Sequence, residues 1–236
     1  MKTWKMLGCL VLLCAIICSC AALAAKAQGV AEGDADHALS NMEQALQNES
    51  GAGSAAAIGG SVAVTPTYSE GLRFRSNGDG TCALAGLGSC TATCVLVSPK
   101  SPAGDVVTEI LPYALEGAII GAIEIPATVR SLSAASFAGC QRLCLVRVAG
   151  GSEFYSEYDG VLYSADGTML VYCPAGRTSG VLKLHPALSR IAAGAFAECK
   201  GLESVVFSGS TAAWHSVIVG DDNDGLYAAG LRFSGS

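Results

Sequence analysis

The chain has little charge. Asp, Glu, Lys and Arg make up 14 % of its 236 residues, against about a quarter in ordinary globular proteins, and a disordered chain needs the opposite balance. Cations are the scarcer sign: 14 Lys+Arg stand against 20 Asp+Glu, a formal net charge of −6. Nucleic acid demands a basic footprint, so that class of partner is excluded. Histidine occurs three times, as His37, His185 and His215, too few and too scattered for zinc, which usually takes four ligands. No Walker loop, G-x-S-x-G, H-E-x-x-H or paired C-x-x-C is present. Long apolar runs are missing beyond the first, which removes a polytopic membrane protein. Aromatics make up 6 %, and much of the 51 % hydrophobic content is alanine. A core therefore has to come from a modest set of Ile, Leu, Val and Phe placed in phase.

The single apolar run opens the chain. Lys2 and Lys5 precede a stretch from Met6 to Ala25 broken by Gly8 and Ser19, and Ala22-Leu23-Ala24 and Ala25-Lys26-Ala27 have the A-x-A form of a cleavage site. Residues 1–27 read as an export signal. Two other readings stay open. Ile17-Cys18-Ser19-Cys20 is similar to a bacterial lipobox with Cys20 as the lipidated residue, and the run is long enough to remain as an uncleaved anchor. All three place the remainder outside the cytoplasm, with any membrane contact confined to this segment. Loss of residues 1–27 would leave 11 basic and 20 acidic residues, a charge of −9, and seven of the 11 cysteines. An odd number argues against a disulfide framework.

Residues 28–67 are rich in Ala, Gly, Ser and acids and contain no Lys or Arg, the composition of a flexible acidic linker. Order is expected over 68–236. Leu72-Arg73-Phe74-Arg75 and Cys82-Ala83-Leu84 flank Asn77-Gly78-Asp79-Gly80-Thr81, and Val161-Leu162-Tyr163 and Met169-Leu170-Val171-Tyr172 flank Ala165-Asp166-Gly167-Thr168. Both spell β-hairpins, with glycine supplying the positive φ of a tight turn.

The strongest pattern is an internal repeat. Ile123-Glu124-Ile125, Val129, Leu132, Phe137, Cys140, Leu143 and Val146-Arg147-Val148 recur 59 residues later as Leu182-Lys183-Leu184, Leu188, Ile191, Phe196, Cys199, Leu202 and Val205-Val206-Phe207. A weaker copy precedes them by 22–23 residues (Val107, Ile110, Leu115, then Ile120, Ile123, Ile125). That period lies in the leucine-rich-repeat range. Each unit would contribute a short strand with its outer residues inward and its middle residue outward. One unit cannot bury its own face, so the units must stack. The expected fold is an α/β-type repeat: a short leucine-rich-repeat solenoid with a curved parallel sheet and inserted β-hairpins. Phe137, Cys140, Leu143, Phe196, Cys199 and Leu202 form its repeat core.

Ala195-Phe196-Ala197-Glu198-Cys199-Lys200-Gly201-Leu202 resembles the A-F-x-x-C-x-x-L core of BspA-like leucine-rich repeats, a family of bacterial surface proteins also found in some protozoan parasites. Tyr158–Pro174 is similar to a hairpin-like variant repeat of that family, and Ala213-Trp214-His215-Ser216-Val217-Ile218-Val219-Gly220 with Asn223, Leu226 and Ala229 to its C-terminal ending. Residues 80–81 and 104–107 resemble its start, so the likeness covers roughly 70–234. His185 stands where the first repeat has Pro126, and Leu115 and Ala118 where Phe and Cys are usual. The resemblance implies a secreted or surface-displayed binding or adhesion module with no catalytic signature to carry over.

Other constellations are weaker. Cys173 and His185 could form a nucleophilic pair, which leaves an exported enzyme or cell-wall accessory with a reactive thiol as the alternative function. Asp221-Asp222-Asn223-Asp224-Gly225 hints at calcium, but no register puts oxygen ligands at positions 1, 3 and 5 with glycine at 6. No metal and no cofactor is expected. Trp214 is placed as the cap of the last core layer. The candidate binding residues are the outward middle ones, Glu124, Arg147, Lys183 and Val206, and the expected partner is a protein or glycan outside the cell. Intact-mass measurement of the exported chain is expected to show loss of residues 1–27. A diacylglyceryl adduct on Cys20, or an unshortened chain, would mark the other two readings.

Overall fold

The computed structural model describes residues 67–177 and 180–235; the expectations for 1–27, Cys20, His37 and most of the linker lie outside the described residues. Apolar alternation in short segments produces strands, and the repeat stacks them in parallel. One ladder contains β3 (Cys94–Leu96), β5 (Ala122–Ile125) and β6 (Leu145–Val148), then β10 (Val181–Lys183), β12 (Ser204–Phe207) and β14 (Leu231–Phe233). A second ladder holds β2 (Thr81–Gly86) beside β4 (Val106–Ile110), with a bridge from Glu109 to Ser131, and later β9 (Met169–Tyr172), β11 (Arg190–Ile191) and β13 (Ile218–Val219). The offset-59 pattern is the physical repeat: Ile123, Ile125, Phe137, Cys140, Leu143 and Val146 are buried, as are Leu182, Leu184, Phe196, Cys199, Leu202 and Val205. His185 does the work of Pro126 in its turn, since Val129 N–H donates to Pro126 O and Leu188 N–H to His185 O.

The repeat solenoid forms as expected, with two differences. The parallel strands divide into two ladders, each broken into separate sheets, instead of one continuous curved sheet. Helix is nearly absent: a 3₁₀ turn at Ala134–Phe137 and two short helices, α1 (Thr211–Trp214) and α2 (Asp224–Ala228). Between β5 and β6 the chain must turn, cross and return. Four residues after Ser133 are too few to nucleate an α-helix.

Both expected hairpins are present. β1 (Arg73–Ser76) pairs antiparallel with β2, and β8 (Val161–Ser164) with β9. A third strand, β7 (Tyr155–Tyr158), adds to β8 with Tyr158 opposite Val161. The two residues between them, Asp159 and Gly160, have φ of 53° and 75°, the positive pair of a two-residue type I′ turn. The β8–β9 hairpin is buried on both faces. Leu162, Val171 and Tyr172 join the core formed by the earlier repeats, while Val161, Tyr163, Leu170 and Cys173 join the core of the later ones. Tyr172 stacks on Phe137 with ring centroids 4.5 Å apart.

Polar groups close the outer turns. The Cys140 thiol donates to Leu115 O (3.0 Å) and the Cys199 thiol to Cys173 O (3.1 Å). The Glu198 carboxylate accepts from Gly139 N–H (2.8 and 3.0 Å) and from Gln141 Nε2 (2.9 Å), linking equivalent turns of the two repeats. Buried Asn223 accepts from Phe196 N–H at 2.8 Å through Oδ1, and its Nδ2 lies 2.9 Å from Ala192 O and Gly220 O and 3.2 Å from Asp221 O. Gly225 passes so close to the Phe196 carbonyl that a Cβ there would collide with it. Replacing Asn223 with Ala leaves a buried N–H and several carbonyls without their partner, a loss of about 2 kcal/mol. The expected fall in Tm is about 4–8 °C. Asn223→Asp, which keeps the acceptor and loses the donors, should not restore it.

Candidate binding face

The outward residues of the first ladder, which the sequence repeat marks, form a row in two halves. Because strand neighbours are in register, outward residues of successive strands are also neighbours. In the first half Leu96 is the Cα partner of Glu124, and Glu124 of Arg147. In the second half Lys183 partners Val206, and Val206 partners Arg232. The residues on either side point inward: Leu182, Val205, Leu184 and Phe207 are buried, and Leu231 and Phe233 pack partly buried against the same core. Lys183 and Arg232 are exposed, and Glu124, Arg147 and Val206 are half-buried. Arg232 escaped the sequence reading, although Leu231-Arg232-Phe233 has the same apolar–cation–apolar form as Leu182-Lys183-Leu184.

The tip of the β7–β8 hairpin lies between the two halves. Val146 N–H of β6 donates to Gly160 O at 3.5 Å, and Lys183 N–H of β10 donates to Asp159 Oδ2 at 3.3 Å. Arg177 holds that tip: its Nη2 lies 2.9 Å from Asp159 Oδ2, and its Nη1 donates to Asp159 O. The charges that the register places side by side are Glu124 and Arg147.

The other candidates serve packing. Cys173 and Cys199 are buried side by side, and burial, reinforced by Cys199, holds the Cys173 thiol well above its ordinary value. Burial pushes the Cys140 thiol up to about 11 and also raises that of Cys82. A thiol is nucleophilic as its thiolate, so at neutral pH the raised thiols of Cys82, Cys140 and Cys173 stay protonated and unreactive. His185 is not turned to Cys173 as a base: its ring packs edge-on to Tyr158 (5.0 Å) and against Tyr163 (5.7 Å), and its Nδ1 accepts from Ala187 N–H. Asp221, Asp222 and Asp224 are exposed, while the Asn223 amide points inward and is fully engaged. No group of three or more His, Cys, Asp or Glu among the described residues is placed to hold a metal ion. Trp214 packs edge-on against Phe207 (5.2 Å) and Phe233 (6.4 Å), beside the last strands. Among the described residues, no helix is long and apolar enough to cross a membrane.

No family model matches the chain, and no curated protein matches it. Similar solved structures include a leucine-rich cell surface protein of Faecalibacterium prausnitzii, with 24 % identity over 60 % of this chain and 41 % of that one and a TM-score of 0.40. A leucine-rich repeat protein of Eubacterium ventriosum gives 16 % identity over 48 % and 36 %, with a TM-score of 0.35. The pneumococcal vaccine antigen PcpA gives 23 % identity over 44 % and 25 %, with a TM-score of 0.38. The chain spans well under half the length of each of these structures.

A thiol reagent applied to the folded chain is expected to modify half-buried Cys90 while leaving Cys82, Cys140, Cys173 and Cys199 untouched until denaturant is added. Peptide mapping of the labelled protein reads the difference. Fast native modification of Cys173 would contradict the packing role.

Proposed function

We propose that this chain is an exported, surface-associated or secreted module of the BspA-like leucine-rich-repeat kind, acting by binding a protein or glycan outside the cell and not by catalysis. The observation that carries this reading is the in-register outward row, Glu124–Arg147 and Lys183–Val206–Arg232. A solenoid core holds each of these side chains at a fixed position on a face that the core does not need. Rigid presentation lowers the ordering cost of binding. The A-F-x-x-C turns, the hairpin repeat and the N-terminal apolar run support the family and the export. The buried thiols favour a scaffold over the alternative of a thiol enzyme.

The test uses the full chain against immobilised matrix proteins, mucin and cell-wall material. Binding to at least one of them is expected, with a loss of about tenfold or more when Val206→Glu or Glu124→Arg alters the row, since truncated or mismatched interface centres cost at least ~1.4 kcal/mol. Tyr227→Ala, at an exposed residue of α2 away from the row, should leave it unchanged. Binding that is indifferent to both row variants, or absent from every surface, overturns the reading.

A further inference from the structure

The second half of the outward row differs in charge from the rest of the module. Residues 67–235 carry 11 Lys+Arg and 15 Asp+Glu, a net charge of −4. Yet the outward positions of β10, β12 and β14 are Lys183, Val206 and Arg232, with Val181 and Ser204 paired alongside. No acid stands in either row. Asp159, which accepts from Lys183 N–H, is bound by Arg177, and exposed Glu203, one residue before β12, turns its carboxylate toward Gly180 before β10. Among the described residues, neither the Lys183 ammonium nor the Arg232 guanidinium has a hydrogen bond or ion pair. Two exposed cations without side-chain partners, in a module of net negative charge, are a local attractor for anions. The first half, Leu96–Glu124–Arg147, mixes both signs and is no such attractor.

We propose that Lys183, Val206 and Arg232 form a docking strip for an acidic, extended peptide segment of a partner protein. The inference rests on the binding-face reading above and narrows its ligand. Lys183 and Arg232 sit two strands apart, so their backbones are about 10 Å apart at the usual strand spacing. An extended peptide rises about 3.3 Å per residue and points alternate side chains to one face, so carboxylates four residues apart share a face and span about 13 Å, within reach of the two long cationic side chains, with one residue between them on that face. Val206 lies between the cations, and Val181 beside them is 48 % exposed. An apolar side chain between two carboxylates would cover this aliphatic surface, which a sulfated polysaccharide has nothing to match. Inward packing of Leu182, Leu184, Val205 and Phe207 fixes the strand backbones, so the strip is formed before the ligand arrives.

The experiment is fluorescence anisotropy of the full chain with a labelled synthetic peptide of Glu-Ser-Val-Ser repeats, which puts Glu and Val on one face when extended, beside the same peptide with Gln for Glu, and with heparin as a competitor. The Glu peptide should bind, the Gln peptide should not, and binding should weaken several-fold between roughly 0.05 and 0.5 M salt. Lys183→Glu with Arg232→Glu should reduce affinity by about tenfold or more, and the single neutral variants Lys183→Gln and Arg232→Gln by smaller amounts. Lys200→Glu, exposed outside the strip, should change nothing. Melting curves of all variants check folding, and the neutral variants carry the test if the double reversal melts early. Equal binding of the Glu peptide by wild type and strip variants overturns the proposal, as does heparin binding through these cations without peptide binding. If Val206→Glu still abolishes capture by a surface in the previous test while the Glu peptide fails to bind, the face stands and the acidic ligand falls.

Discussion

The β8–β9 hairpin has no solvent face. Val161, Leu162, Tyr163, Leu170, Val171 and Tyr172 are all buried, Leu162, Val171 and Tyr172 in one core and Val161, Tyr163 and Leu170 in the other. A hairpin of this kind acts as a wall between two hydrophobic layers, and most other features adjust to it. At the hairpin the second ladder becomes a mixed sheet, β9 pairing antiparallel with β8 and parallel with β11, while the first ladder is divided into two separate sheets. The Asp159-Gly160 tip then takes the place of a strand, accepting a hydrogen bond from β6 on one side and one from β10 on the other. Continuity of the core passes through aromatic contact, with Tyr172 stacked on Phe137. On the other face, the Tyr163 hydroxyl accepts from His185 N–H at 3.2 Å.

A solenoid with so little helix has to satisfy its outer-turn backbone by other means, since buried unpaired N–H and C=O groups are costly. Side chains do this. Thiols cap carbonyls of the preceding turn at Cys140 and Cys199, the Ser136 hydroxyl caps Ile110 O, and Asn223 closes the final turns over Phe196. Cysteine suits the first role because it is small and apolar yet still a weak donor. At Cys140 the same burial that makes it a good filler also raises the thiol and suppresses its thiolate. A high cysteine count is therefore compatible with a scaffold that has no redox or nucleophilic task.

The outward face follows from the same construction. On either side of Glu124, Arg147, Lys183, Val206 and Arg232 the flanking residues pack on the core, so the face is written in single letters, one per strand. Those letters are free of packing demands, and this is where charge appears in a chain that otherwise has little. The hairpin wall divides the face into a mixed-sign half and a cationic half. Arg177 and Asp159 neutralise each other at the junction.

The sequence by itself determined the inward pattern. Period-2 alternation and the offset of 59 identify Ile123, Phe137, Cys140 and their counterparts as core, and the Asn-Gly-Asp-Gly and Asp-Gly clusters mark the β1–β2 and β8–β9 turns, because these signals are local. The Asp159-Gly160 turn was equally legible, and so was the outward place of Arg232; both follow from the same local rules applied a few residues further. Tertiary structure alone decided the rest. That the hairpin faces two cores, that Glu198 clamps a turn 59 residues away, and that Asn223 turns inward instead of joining an acidic loop all depend on which segments stack on which. Periodicity reports that a residue points inward, but a partner two repeats away is set by how the stack closes around the hairpin.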